Sequence, residues 1–261
     1  MGQWATGAYG NSELDTPVLD SIAKNGHRFE NAMCNTPVCS ASRGSYLTSR
    51  LPSQHGVQDW IAKGNGCDRF PAVEYLPASR ETWYSDVMSK NGYTCGASGK
   101  IHVGGQNITN QHGFSHWFVH QSGGGSYTDP PLVIDGQCTT LHDVYITDVL
   151  AKDAISAIQG YASSSPGKPW LHLLHFTSPH SPYTGPDGRC DSMHPKPLCE
   201  KYLNATFRDL PQRDEYPYAY HTSTLTSGCL QNRQCWAGYY AATEAMDMAI
   251  GTVLEAIESL G

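Results

Sequence analysis

Hydrophobic positions recur at helical spacing in several stretches of the chain. Thr16-Pro17 precedes Val18, Leu19 and Ile22, and Asn25-Gly26 closes the run. This pattern predicts a short helix with a threonine cap, proline at its first position and a left-handed glycine at its end. Ser42–Ser49 and Thr82–Lys90 are two further predicted helices, the second with Trp83, Val87 and Met88 on one side and Asn91-Gly92 after it. Thr147–Ile158 carries Val149, Leu150, Ala154, Ala157 and Ile158 at the same spacing. The last segment does so with Tyr239, Met246, Ile250, Val253, Leu254, Ile257 and Leu260. Trp170–Phe176, an apolar run bounded by Pro169 and Pro179, reads as a buried strand, and Tyr93–Ala97 as a shorter one. Helices alternating with buried strands predict an α/β fold built on a parallel sheet.

Residues 160–169 and 178–234 show neither period. The second stretch, rich in Pro, Tyr and Cys, is too long for an ordinary connection and reads as a functional loop or cap region. The first predicted helix has no buried strand ahead of it and the last has none behind it. An α/β unit normally supplies both, so the pattern creates the expectation of a chain cut at both ends.

Composition narrows the class. With 39% hydrophobic and 10% aromatic residues, the 261-residue chain is too apolar to stay disordered. Seventeen basic against 24 acidic residues give a net charge of −7, and no basic run is present, so no nucleic-acid partner and no polybasic membrane patch are expected. No stretch approaches the roughly 18 apolar residues of a membrane span, and Met1-Gly2-Gln3-Trp4 does not open a signal peptide. Nine cysteines point toward an oxidising compartment, and Cys190 with Cys199 and Cys229 with Cys235 each close a short loop that a disulfide would staple. The sequons at Asn107 and Asn204 add little, because such tripeptides are frequent by chance.

Chemistry concentrates in three places. Cys39 stands just before a predicted helix with Arg43 four residues on, a setting that suits a nucleophile or bound anion and equally a structural cysteine paired with Cys34. Lys100 and His102 follow the shorter strand; two apart on an extended segment, they would share a face. No P-loop is formed, since Gly92 is too far from Gly99-Lys100 and Ile101 replaces the Ser/Thr, and Gly96-Ala97-Ser98-Gly99 is not a serine-hydrolase elbow. His172 and His175 would project to opposite faces of their strand and cannot ligate one metal, which leaves both as core histidines. His180, in Ser178-Pro179-His180-Ser181-Pro182, lies past the strand's carboxyl end, where open α/β sheets place their sites.

These segments together resemble a known signature. Cys39-Ser40-Ala41-Ser42-Arg43, followed by Leu47-Thr48 and Arg50-Leu51-Pro52-Ser53-Gln54-His55-Gly56-Val57, is similar to the motif of the type I, formylglycine-dependent sulfatases of the alkaline-phosphatase superfamily. Thr16–Asp20, Gly99–Gly104, Tyr145–Leu150 and Pro179–Pro182 match in the same order. Ala41 stands where proline is commonest and Ser49 replaces a usual glycine. The resemblance implies an alkaline-phosphatase-like sandwich of a largely parallel sheet between helices, incomplete at both ends, with residues 1–261 forming the N-terminal part of one catalytic domain.

The resemblance also implies roles. Cys39 would become formylglycine in the hands of a maturation enzyme, attack sulfur and serve as a metal ligand. Arg43 would hold the formylglycine hydrate, Lys100 would bridge it to the sulfate, and His102 would take the proton that expels sulfate. His180 would bind sulfate and protonate the leaving alcohol, and His55 would be structural. A Ca2+ cofactor is implied, with carboxylate ligands outside this chain, so residues 1–261 alone are expected to be inactive. The implied substrate is a sulfate ester, with a sulfated carbohydrate suggested by Trp60, Trp117, Trp236 and the Tyr216–Tyr220 segment. The implied location is extracytoplasmic: secreted, periplasmic or lysosome-like. A formylglycine phosphonate or phosphodiester hydrolase and a non-catalytic sulfated-glycan binder are the alternatives.

Overall fold

The computed structural model describes residues 1–61, 76, 80–103, 112–120, 124, 126–210 and 232–261. They fall into two compact units, one of residues 31–177 and 253–261, the other of residues 1–30 and 178–252.

The unit of residues 31–177 holds the sheet. Strands β1 (Thr94–Lys100), β2 (Phe114–His120) and β5 (Trp170–His175) are parallel, with β1 between the other two. A hairpin of β3 (Pro131–Ile134) and β4 (Gln137–Thr140) extends the sheet antiparallel beyond β2, giving the order β4-β3-β2-β1-β5. Its tight turn places Asp135 and Gly136 at φ of 45° and 84°, the left-handed pair that a two-residue hairpin requires. Strands β1 and β5 occupy the two segments that the apolar runs predict. Strand β2 escapes that pattern because its pairing with β1 shifts register between Cys95 and Gly96, which breaks the two-residue alternation.

Helices cover both faces. Cys95, Ala97, Phe114, Trp117, Val119 and Leu173 form one core with Leu47 of α2 (Cys39–Thr48), Val57, and Trp83 at the start of α4 (Tyr84–Lys90). A short helix, α3 (Pro52–His55), follows α2. The opposite face meets α5 (Ile146–Ser164) through polar groups: Asp153 accepts from His116 Nε2 at 2.9 Å and contacts Ser98, whose Oγ is 2.8 Å from His172 Nε2. His172 and His175 do project to opposite faces. Of the residues predicted on the buried side of α4, Trp83 is buried and Met88 packs against the same core, whereas Val87 is half exposed.

In the other unit, α1 (Pro17–Asn25) begins with Pro17 as predicted, yet Thr16 makes no side-chain cap and Gly26 is not left-handed. The cap comes instead from the long helix α7 (Arg233–Glu258), where the buried Asp247 accepts from the backbone N–H of Val18 at 3.0 Å and Leu19 at 2.8 Å. Much of the buried face of α7 is a stripe of alanines, Ala237, Ala241, Ala242, Ala245 and Ala249, whereas Leu254 and Leu260 are exposed. Helix α6 (Lys196–Leu203) gives residues 178–210 an ordered segment that no period announced, stapled by a Cys190–Cys199 disulfide. Cys235 is also disulfide-bonded; its predicted partner Cys229, the Tyr216–Tyr220 segment and Asn107 lie outside the described residues. Among the described residues no helix is long and apolar enough to cross a membrane.

Asp247 supplies two acceptors to a helix start that has no local cap. Asp247→Ala is expected to lower stability by about 1–3 kcal/mol, measured by urea unfolding.

Candidate active site

Helix α2 presents the first element of the site. Cys39 is its first residue, since the helix starts three residues earlier than the predicted Ser42, and Val38 precedes it in extended conformation. Its thiol is half-buried and not disulfide-bonded; Cys34 is likewise free and exposed, so the structural pairing of the two does not occur. The helix start brings partial positive charge toward Cys39.

The second element is the end of β1. Gly99 has φ of 104°, and a Cβ there would stand 1.9 Å from the backbone oxygen of His175. Only glycine permits this approach of β1 to β5. The strand ends at Lys100, and His102 beyond it sits at φ of 54°. Lys100 and His102 therefore do not gain their common direction from strand alternation, as the sequence suggests. The turn that follows Gly99 directs them.

The result gathers four of the five predicted residues. His102 Nδ1 is 3.2 Å from Cys39 Sγ and 3.2 Å from Ser40 Oγ, while its Nε2 donates to the Ile61 carbonyl at 3.2 Å. A carbonyl can only accept, so the neutral imidazole carries its proton on Nε2 and turns the Nδ1 lone pair to Cys39. Ser40 Oγ accepts from Ile61 N–H at 3.2 Å, which locks the ring from the other side. Arg43 Nη1 donates to the Lys100 carbonyl at 2.6 Å, and burial lowers its pKa to about 10, leaving it charged. Lys100 is 3% exposed; burial first, and the Arg43 cation second, lower its pKa to about 8, against the opposing pull of Cys39. Two buried cations beside a sulfur suit an anion with several oxygens.

His180 belongs to the other unit, exposed, with Nδ1 donating to the Ser181 carbonyl at 2.7 Å. His55 is buried with Nε2 on Ser45 Oγ at 3.1 Å and Nδ1 accepting from Val57 N–H at 3.2 Å, a structural role as expected. Ser40, Ile61 and His175 are members that the sequence reading passes over. Ser40 lies inside the quoted motif as an intervening residue, and His175 reads as an ordinary core histidine. Of the tryptophans, Trp117 is fully buried, Trp236 half-buried, and Trp60, beside Ile61, is 51% exposed.

Calcium takes six to eight oxygen ligands. Among the described residues no three His, Cys, Asp or Glu side chains converge as a metal-binding group, and the charges acting on Lys100 are Arg43 and Cys39. The described residues by themselves do not fit a calcium site.

At the end of one strand of an α/β sheet, Arg43 and Lys100 thus stand beside Cys39 and an oriented His102, an arrangement suited to an anion. The sulfatase family model matches residues 1–261, and the chain belongs to the sulfatase family. It is 26% identical to an ulvan-active sulfatase of Formosa agariphila over 99% of this chain and 46% of the relative. It is 25% identical to human N-sulphoglucosamine sulphohydrolase over 100% and 46%, and 25% identical to an arylsulfatase of Clostridium perfringens over 98% and 56%. The chain thus spans about half the length of these relatives. Among solved structures, Ps i-CgsB superposes with a TM-score of 0.74 at 21% identity, over 100% of this chain and 53% of the other, which shows the alkaline-phosphatase-like fold.

Gly99→Ala is expected to cost about 2 kcal/mol or more in urea unfolding, since it adds both a positive-φ penalty and a backbone clash at the strand end.

Proposed function

We propose that the protein is a sulfuric-ester hydrolase acting on a sulfated carbohydrate, with Cys39 converted to formylglycine as its nucleophile. The observation that carries this reading is the His102 imidazole, held by Ile61 and Ser40 so that Nδ1 faces the Cys39 side chain at 3.2 Å. Formylglycine, once made by a maturation enzyme, supplies a hydrated aldehyde hydroxyl in place of the thiol. The chain's own residues supply the rest. His102 Nδ1 takes a proton from the group at position 39, with Nε2–H anchored so that the ring stays in place. Arg43 and Lys100 offset the charge of the sulfate oxygens, more strongly for being buried. His180 is assigned the protonation of the leaving alcohol by its place in the family motif. The carbohydrate class is supported by the relatives named for ulvan and for N-sulphoglucosamine, and by the exposed indole of Trp60 next to Ile61. Calcium belongs to the family pattern, but no step above is assigned to it. An extracytoplasmic location is supported by the Cys190–Cys199 disulfide.

Co-expression with a formylglycine-generating enzyme and peptide mass spectrometry should show loss of the Cys39 thiol mass and gain of the aldehyde. The full-length matured protein should then turn over aryl sulfate faster than aryl phosphonate, and Cys39→Ala should abolish it. Conversion without sulfate turnover, or preference for the phosphonate, would overturn the assignment. Lys100 binds the anion only while protonated. Its pKa of about 8 therefore predicts that kcat/KM falls as pH rises through that value, readable from a pH–rate profile.

A further inference from the structure

His175, the last residue of β5, has no part in the reaction just assigned, yet three elements of the site converge on it. Its Nδ1 is 3.1 Å from the Lys100 carbonyl and 3.3 Å from Arg43 Nη1. Tyr46 meets its ring edge-on, with centroids 5.6 Å apart. Its own backbone oxygen is the atom that leaves no space for a Cβ at Gly99. Arg43 and Tyr46 are three residues apart on α2 and so lie on one face of that helix. That face is the one turned to His175.

A guanidinium only donates, so with its proton on Nε2 the His175 ring accepts at Nδ1 from Arg43 Nη1; with its proton on Nδ1 the Lys100 carbonyl meets two donors, Arg43 Nη1–H and His175 Nδ1–H. In this second form one donor comes from α2, the other from β5, and the acceptor is the last carbonyl of β1. Burial, then the Arg43 cation, lower the His175 pKa to about 4, so the ring is neutral beside the arginine at ordinary pH. A second cation at this place would push Arg43 off the carbonyl.

We infer that His175 is a positioning residue: by sharing the Lys100 carbonyl with Arg43 it keys helix α2 to the ends of β1 and β5, and so sets the placement of both cations relative to Cys39. The inference rests on the sulfatase reading only for what those cations bind. Placement matters on that scale, because displacements near 1 Å in a positioned site cost about 100-fold in rate.

Asparagine carries its amide nitrogen on Cγ, as histidine carries Nδ1, and so retains the donor; leucine retains bulk and loses it. Wild type, His175→Leu and His175→Asn are compared in the full-length matured protein. The readouts are kcat/KM for aryl sulfate, the rate of reductive methylation of Lys100 by peptide mass spectrometry, and Tm. H175L should lose about 10- to 100-fold in kcat/KM and expose Lys100 to several-fold faster methylation. H175N should recover most of both. If H175L does not fold, H175A takes its place, compared with H175N in the same way. Equal Lys100 methylation in all three proteins, or equal impairment of the leucine and asparagine variants in step with Tm, would overturn the inference and leave His175 a packing residue. Wild type without sulfate turnover, but with the methylation pattern above, would sink the sulfatase reading and leave the positioning role standing.

Discussion

The carbonyl of Lys100 is the point on which the site depends. Strands β1 and β5 approach there until no Cβ fits at Gly99. That contact ends the strand, turns the chain through left-handed backbone at Gly99 and His102, and leaves one carbonyl for α2 to grip through Arg43. A parallel pair normally diverges into loops at its carboxyl ends, and that is where open α/β sheets hold ligands. Here the strand ends are joined by side chains, Arg43 and His175 meeting at the Lys100 carbonyl.

Electrostatics follows from that geometry. Arg43 and Lys100 are drawn into a poorly hydrated corner, where burial lowers the proton affinity of both, Arg43 lowers that of Lys100 further, and Cys39 opposes the effect on each. Buried like charges are costly unless an anion joins them. An arrangement of this kind is stabilised by its ligand. His102, its Nε2–H held by the Ile61 carbonyl, turns Nδ1 toward Cys39.

The other unit holds its elements by different means. A disulfide at Cys190–Cys199, a tyrosine edge contact between Tyr202 and Tyr240 at 5.2 Å, and Asp247 capping α1 across more than 200 residues of sequence join its described segments. Small alanines on α7 admit close packing of the neighbouring segments.

The sequence by itself determined five of the helices, α1, α2, α4, α5 and α7, and the two apolar strands, because hydrophobic period reports which face of a segment is buried. It also singled out Cys39 and Arg43 within one long motif and Lys100 and His102 within a second matching segment about 60 residues on. Only the tertiary structure decided what those residues do to one another. Strand β2 was illegible because a register shift erases alternation, and the β3–β4 hairpin because its strands are four residues long. The cap of α1 was illegible because its acceptor lies on α7. His175 looked like a core histidine because its partners, Arg43 and the Lys100 carbonyl, are 132 and 75 positions away. Local pattern records burial, but which buried polar groups meet is set by packing between distant segments, and a single carbonyl leaves no trace in the order of side chains.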